Sequence, residues 1–192
     1  MQEEKMVRSG KEWIPNPKFI RALFERNPKH NVVVALHRGK RLIDFVFGEN
    51  IVCTTGEVHY AQRCANEAPT NAYVTMWLAS GRGGNANGVP VKGDNRGNYN
   101  DIASSNKANA TGYPKSNDND TDNTGNGANT VSWLFSYAAG DGNFAAISHC
   151  YITRTGNTAN DNLLCAVKFS AAWAKDSNTS AKVFVNHAAN GV

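Results

Sequence analysis

Three aspartates at alternate positions are the sharpest candidate for ligand chemistry in this chain of 192 residues. Asp118, Asp120 and Asp122 alternate with polar residues in a short run. Alternating carboxylates in a tight loop can turn their oxygens onto one hard cation, as in the first half of a calcium loop. The second half does not match, because Asn123 replaces the expected glycine and Asn129 replaces the bidentate glutamate. The run is therefore either a calcium site or an acidic loop facing solvent or a partner, and no other cofactor is predicted.

Other arrangements that carry enzymatic chemistry are incomplete. The glycines between Gly81 and Gly88 follow a predicted strand, but the helix and the Gly-Lys-Ser/Thr of a phosphate loop are missing. His149 and Cys150 are neighbours on a predicted strand, so their side chains point to opposite faces. The sequence contains neither Gly-x-Ser-x-Gly nor His-Glu-x-x-His. We therefore predict that the protein is not an enzyme; a hydrolase using the three aspartates is the alternative.

Aromatic side chains among asparagines and aspartates suggest a sugar site as a second alternative. A flat ring can pack beneath a sugar while neighbouring amides donate hydrogen bonds to it. The candidates are Trp77, Tyr99, Tyr113 and Trp133. Both tryptophans also lie in predicted strands, so they can equally belong to the core.

The segment from Gly81 to Thr130 is rich in asparagine and glycine and has almost no apolar run. Such a segment buries too little surface to fold by itself. It lies between two halves with strand patterns, so we interpret it as an insert in a loop. Long polar loops usually carry a function or are held by a partner. We expect this one to be ordered by packing against other subunits and mobile in an isolated chain.

The flanking halves have the alternation and turn signals of β-strands. A tight turn is predicted at Thr55-Gly56. Antiparallel strands without a βαβ rhythm indicate a mainly β protein, an antiparallel β-sandwich or jelly-roll-like fold. The body is predicted over residues 49–192, with its insert at 81–130. The predicted strands are Asn31–His37, Arg41–Phe47, Asn50–Thr54, Glu57–Gln62, Ala72–Ala79, Thr130–Tyr137, Phe144–Thr153, Asn162–Ser170 and Lys182–His187.

Residues 1–48 form a basic N-terminal arm that includes the first strands. This arm has ten Lys and Arg residues against five Asp and Glu. Asn16 is a good N-cap and Pro17 suits the first helical position, so a short amphipathic helix is predicted. It is too short to be stable alone and must dock on the body or on a neighbouring chain. The residues predicted to bind this partner, paired at i,i+4, are Phe19, Ile20, Leu23 and Phe24.

The cysteines and the N-terminus predict the compartment. Cys53, Cys64, Cys150 and Cys165 form no C-x-x-C pair, and we expect reduced, buried and unreactive thiols. The sequence has no secretory signal and no run long enough to span a membrane. We therefore expect synthesis in a cytoplasm and no membrane partner.

Several short motifs resemble those of structural proteins of tailed bacteriophages. The resemblance covers roughly residues 45–190 and leaves out the basic arm. Its first motif is read as an extended strand ending in an Asn-hydrophobic-Val-Thr-x-x-Gly turn. The motifs are Asn50–Gly56 with Tyr60–Gln62, Ala68–Asn71, Gly112–Lys115 with Asn117-Asp118, Asp122–Gly125 and Lys182–His187.

This resemblance implies a virion component that is synthesised in the host cytoplasm. A capsid decoration (cement) protein is the first expectation, and a tail, neck or receptor- or glycan-binding component is the alternative. The implied partners are the major capsid protein, other virion proteins and further copies of the chain, with a trimer as the expected state. A nucleic acid partner is not expected. In this hypothesis residues 1–48 anchor the protein and the insert contacts adjacent copies or solvent.

Overall fold

The computed structural model describes residues 6–9, 12–15, 32–65, 67, 73–102, 115–116, 130–154 and 163–188. Within these ranges the protein is mainly β, which confirms the predicted fold class. One α-helix, α1, spans Thr54–Cys64, and a short 3-10 helix spans Arg96–Asn98. The strands are β1 (Met6–Ser9), β2 (Glu12–Pro15), β3 (Val32–Arg38), β4 (Arg41–Val52), β5 (Tyr73–Arg82), β6 (Tyr99–Asp101), β7 (Lys115–Ser116), β8 (Thr130–Tyr137), β9 (Phe144–Arg154), β10 (Cys165–Lys175) and β11 (Thr179–Ala188).

The main sheet is antiparallel and curled. Its strand order is β6-β5-β9-β10-β4-β3-β11-β8, with β7 paired to the start of β5, while β1 and β2 form a separate hairpin. Trp133 on β8 donates its indole N–H to the carbonyl oxygen of Tyr73 on β5, at 3.1 Å. This bond joins strands near opposite ends of the order, so the curled sheet encloses its inner face in a sandwich-like arrangement.

The inner face of the sheet forms the main core. Side chains alternate across each strand, so every second residue points inwards. The inner residues come from all the long strands, and they include Val34, Phe135, Cys150, Val167 and Val183. The residues between them point to the outer face, where neighbours in sequence meet different surroundings.

Helix α1 replaces the predicted strand Glu57–Gln62 and the predicted turn at Thr55-Gly56. Of the predicted strand Asn50–Thr54, residues 50–52 are strand, as the end of β4. Strand β4 continues without a break to Val52, and the helix starts two residues later. The turn implied by the phage-like motif Asn50–Gly56 is wrong for the same reason, whereas its strand is present up to Val52. The β-type residues of this run had favoured strands, and local propensity does not decide the structure here.

Contacts with distant parts of the chain fix this helix in place. The Cys53 amide donates to the carbonyl of Leu164 at 3.0 Å. Gly56 passes so close to the same carbonyl that a β-carbon at this position would collide with its oxygen. One turn later, Tyr60 packs against the main core. The glycine therefore serves close helix–strand approach and not a hairpin turn.

Three of the four cysteines have the reduced, buried thiols that the sequence predicts. Cys53, Cys150 and Cys165 are free and buried. Burial raises the pKa of Cys53 to about 12, and it raises the pKa of Cys150 and Cys165 as well. All three therefore stay protonated and weakly nucleophilic at neutral pH. The side chain of Cys64 lies outside the described part.

Candidate functional site: a polar network beneath the insert

The first part of the predicted insert, residues 81–102, folds onto the outer face of the sheet. It covers a second apolar cluster that includes Trp77 on β5, Tyr151 on β9 and Tyr99 from the segment itself. The rings of Tyr99 and Tyr151 lie 5.0 Å apart. Contacts within the chain thus hold this part in place, in contrast to the expectation that its order comes from other subunits.

Asp94 is the centre of the hydrogen bonds that fix this segment. Arg82 donates to both carboxylate oxygens, from Nε to Oδ2 at 2.7 Å and from Nη2 to Oδ1 at 2.6 Å. The Tyr99 hydroxyl donates to Oδ2 at 2.7 Å, and the Val91 amide donates to the same atom at 3.0 Å. Four donors from three parts of the segment therefore converge on one carboxylate.

The environment of Asp94 keeps it ionised. Burial alone would raise its pKa, but the hydrogen bonds from Arg82, Tyr99 and Val91 outweigh burial, and the pKa is lowered. The same contact raises the pKa of Tyr99, because burial and the neighbouring carboxylate both oppose ionisation of the phenol. A carboxylate held in this state is a structural anchor and a poor proton donor.

A second carboxylate, Asp101, binds the far end of the segment to the sheet. It accepts hydrogen bonds from the Tyr151 hydroxyl and from Nη2 of Arg96, the latter at 3.0 Å. The Arg96 guanidinium also stacks on the ring of Trp77, 3.7 Å from its centroid. Trp77 in turn donates its indole N–H to Thr153 Oγ1 at 3.1 Å. Segment and sheet are therefore joined by charge, stacking and hydrogen bonds together.

His149 bonds the sheet to the middle of the segment. Its Nε2 lies 2.7 Å from the Gly88 carbonyl oxygen and its Nδ1 lies 2.8 Å from Ser148 Oγ. A carbonyl can only accept, so Nε2 carries the hydrogen and Nδ1 accepts from the serine hydroxyl. The imidazole is fully buried. Its neutral form satisfies both contacts.

These groups include a histidine, a serine and an aspartate, but their arrangement is not that of a nucleophilic triad. The aspartate binds Arg82 and Tyr99, and the outer nitrogen of the imidazole is occupied by Gly88. Proton transfer between His149 and a substrate would require residues 81–102 to lift from the sheet. Cys150, the neighbour of His149, points into the main core as the alternation predicted. The geometry supports a structural role for the network.

The network predicts a pH dependence of stability that begins at the ordinary pKa of histidine. Burial lowers the pKa of His149 below 6.5; Lys168 and Arg82 add to this, while the Gly88 bond and Asp94 oppose it. As pH falls, the unfolded chain therefore binds the proton first, and stability decreases from pH 6.5 down to the folded-state pKa. One group contributes at most about 1.4 kcal/mol per pH unit. The pKa of Asp94 is also lowered from its ordinary value of 3.8. The stability that ionised Asp94 gives the folded protein is therefore lost only at lower pH than the stability that depends on His149.

Denaturant unfolding of the parent and of His149→Gln between pH 7 and 5 would measure this effect. Glutamine can still donate to the Gly88 carbonyl but does not titrate. The variant is expected to have the flatter stability curve over this range. Parallel curves for the two proteins would contradict the assignment.

Lys175 forms a separate buried polar site at the turn between β8 and β9. Only 2% of the residue is exposed. Its ammonium group donates to the carbonyl oxygens of Ala139 and Asp141, each at 3.2 Å, and of Gly142 at 2.9 Å. Burial lowers the pKa of Lys175, and the charges of Asp141 and Asp176 oppose this shift. The ammonium group thus fills a cradle of backbone oxygens.

Three exposed valines lie where helix α1 meets the insert segment, and we call them the valine patch. Val58, Val89 and Val91 are 52%, 65% and 46% exposed. Thr54 donates both its amide and its hydroxyl to the Lys92 carbonyl, and the Lys92 ammonium pairs with Glu57. Residues four apart share one side of a helix, so Val58 lies on the side of α1 that carries Thr54 and faces the segment.

The predicted site residues have different outcomes. The aspartates 118, 120 and 122, the apolar residues 19, 20, 23 and 24, and residue 113 all lie outside the described part. Among the residues that the structure describes, no three His, Cys, Asp or Glu side chains are grouped to hold a metal ion. Trp77, Tyr99 and Trp133 are buried, so their rings are not available to stack on a sugar. For the two tryptophans, the core alternative is correct.

Sequence reasoning missed the charged residues that build the network and the lysine cradle, and it considered Trp77, Tyr99 and His149 only for other roles. Arg82 and Asp94 are twelve positions apart, and Tyr151 and Asp101 are fifty apart. The predicted insert does contain Asp94, Arg96 and Asp101 close to Tyr99, and this mixture of charges and an aromatic ring was the one local signal.

The fold and the network together define a mainly β protein in which residues 81–102 are held against the outer face of the sheet by hydrogen bonds and ion pairs. A scan against family models finds no matching family, and searches of curated proteins and of solved structures find no significant match. In the part of the chain that is described, no helix is long and apolar enough to cross a membrane.

Proposed function

We propose that the protein is a non-enzymatic structural component of tailed-phage virions, in the first place a capsid decoration (cement) protein. It is synthesised in the host cytoplasm and binds the major capsid protein or other virion proteins, together with further copies of itself. The motifs that resemble phage structural proteins support the class, apart from Asn50–Gly56, which leads into a helix and not into a turn. A role in the tail, the neck or receptor binding is the alternative within this class, although burial of three of the four candidate rings weakens glycan binding.

The observation that carries this proposal is the valine patch on a backbone fixed by buried polar contacts. Val89 follows Gly88, whose carbonyl is held by His149, and the amide of Val91 is bound to Asp94. The valine side chains nevertheless remain exposed. An apolar group displayed on rigid backbone loses little conformational entropy on binding, and it favours burial against a partner. A virion protein that covers its neighbours needs such a preorganised contact.

Binding to particles tests the proposal. Particles of the phage that encodes the chain are prepared without it, and purified parent or Val89→Glu/Val91→Glu protein is then added. Burying a charge in an apolar contact is costly, so the variant is expected to lose binding by at least about tenfold while its melting temperature is unchanged. Electron microscopy of the particles and sedimentation measure occupancy.

Ile43→Glu is the matched control, because Ile43 is 44% exposed and lies on β4 nine residues before Val52, the end of the strand that leads into α1. It is expected to bind like the parent. Equal occupancy for the patch variant would exclude the patch as the contact, and no binding of the parent would exclude the virion role. Loss of capsid stability without the protein indicates cement, whereas loss of adsorption indicates a tail or receptor-binding component.

A further inference from the structure

The outer face of β4, β3, β11 and β8 carries an apolar surface separate from both core clusters. The register places Val33 between Phe47 and Phe184, and Phe184 next to Leu134. Ala35 lies opposite Phe45, whose ring stacks on that of Phe47 at 6.4 Å between centroids. We call this surface the outer apolar face; its residues are Val33, Ala35, Phe45, Phe47, Leu134 and Phe184.

The two central residues of this face are already covered. Val33 is 2% exposed and Ala35 is not exposed at all, yet neither belongs to the main core or to the cluster beneath residues 81–102. Side chains stand nearly perpendicular to a sheet, so cross-strand neighbours shield their flanks, and a second layer is needed to cover their tips. This burial is complete in a single chain, so the covering layer belongs to the same chain.

The ends of one segment point to the identity of that layer. Strand β2 contacts β4 and ends at Pro15, and the chain enters the sheet again at Val32, the start of β3. The two described ends that flank residues 16–31 therefore both lie at this part of the sheet. A helix of ten residues is about 15 Å long, and four strands span about 14 Å, so the lengths match.

We propose that the amphipathic segment 17–26 docks on the outer apolar face of its own chain. Its apolar residues Phe19, Ile20, Leu23 and Phe24 supply the missing layer. This arrangement directs the basic residues of the segment, among them Lys18 and Arg21, away from the sheet. The inference rests on the sheet and the chain path, and it is independent of a role in virions.

Cross-linking of the full-length protein distinguishes docking within the chain from docking on a neighbour. The variant carries Leu23→Cys and Lys182→Cys in a Cys64→Ser background, because Lys182 is exposed on the outer face opposite Ala35. A short bis-maleimide is added at micromolar protein. Docking within the chain gives an effective concentration on the order of millimolar, so the expected product is a cross-linked monomer. A covalent dimer, or no cross-link, would overturn the proposal.

The control pair replaces Lys182→Cys with Asn87→Cys, which places the second thiol on the exposed insert segment. Its yield of cross-linked monomer is expected to be much lower, and an equal yield would also contradict the proposal.

A charge placed in the contact provides a second, independent readout. Leu23→Asp is expected to speed hydrogen exchange of the β3 amides by at least about tenfold, because a buried carboxylate displaces the layer. Arg21→Asp introduces an aspartate on the side of the segment that faces away from the sheet, and it is expected to leave hydrogen exchange of the β3 amides unchanged. Equal exchange in the two variants would count against the proposal. If Leu23→Asp does not fold, the cross-linking result decides alone.

Discussion

Replacing Asp94 with alanine is expected to lower the free energy of unfolding by about 2 to 4 kcal/mol. The substitution removes the acceptor of four hydrogen bonds and leaves the Arg82 charge, the Tyr99 hydroxyl and the Val91 amide without it. The Asp94 side chain is 2% exposed, whereas that of Arg82 is 27% exposed. Water can therefore reach part of the guanidinium, which places the expected cost below that of a fully buried pair.

The Asp94→Ala substitution is expected to open one segment locally before it unfolds the whole protein. Residues 81–102 cover the outer cluster, so without Asp94 they are expected to open and expose Trp77 and Tyr151. Hydrogen exchange of this segment, compared with that of β3, would show the difference. Because the Val91 amide is bound to Asp94, the same variant should weaken particle binding by the route proposed above.

The exposed pair formed by Lys92 and Glu57 provides the control for Asp94. Their side chains are 61% and 45% exposed, so Lys92→Ala is expected to cost less than about 1 kcal/mol. A double-mutant cycle with Arg82→Ala and Asp94→Ala should show strong coupling, since each single change leaves its partner unsatisfied. Similar costs for Asp94→Ala and Lys92→Ala in denaturant unfolding would refute the central role of Asp94.

The strands could be predicted where a single face is buried. For Thr130–Tyr137 the predicted bounds equal those of β8, because Trp133, Phe135 and Tyr137 alternate towards the core. In β3 both faces are buried, and the run of valines still reads as a strand. In these segments the local pattern and the tertiary environment favour the same structure.

Helix α1 shows where the local pattern is insufficient. Its sequence, Thr-Thr-Gly-Glu-Val-His-Tyr, contains a glycine and several β-type residues, and these predict a turn between strands. The helix forms because Gly56 can approach the Leu164 carbonyl and Tyr60 can reach the core. Neither partner is near in sequence, so no local pattern could have indicated the helix.

The candidate site was unpredictable for a related reason. Its polar groups form hydrogen bonds and ion pairs with residues that are distant in sequence. From the sequence alone, a charged residue in a polar run is expected to be solvated, because its partner is not known. Asp94 and Asp101 therefore resembled other acids of the insert, whereas the run chosen from the sequence lies at residues 118–122. Lys175 lies five residues beyond the end of the predicted strand Asn162–Ser170, in the part of β10 that the sequence did not predict, so its buried ammonium group had no signal either.

Replacing Lys175 with methionine is expected to cost about 2 to 4 kcal/mol, mainly through the carbonyl groups left behind. Methionine keeps the length and most of the apolar stem of lysine but cannot donate to Ala139, Asp141 or Gly142. The ammonium group also lies 5.7 Å from the centroid of the Phe144 ring, a favourable contact that the variant loses.

The net sign of this change depends on two opposing effects. Burying an ammonium group is costly, and its lowered pKa reflects that cost, so removing the charge gives back part of it. Against this, three backbone oxygens of the β8–β9 turn lose a charged donor at 2.9 to 3.2 Å. An unsatisfied buried carbonyl group costs about 1 to 3 kcal/mol, and this applies in full to Gly142 and in part to Ala139 and Asp141, whose contacts are only partly buried. Together these costs exceed the gain, so the variant is destabilised.

Lys182→Met is the matched control for Lys175→Met, because Lys182 is an exposed lysine on the neighbouring part of the same sheet. Its expected effect is within about 0.5 kcal/mol of zero, as for most surface substitutions. Denaturant unfolding gives both values, and hydrogen exchange should show faster opening of residues 138–142 in the Lys175 variant alone. Equal stability of the two variants would mean that water replaces the ammonium group without cost. The cradle would then be a solvated turn, and the buried charge would contribute nothing to the fold.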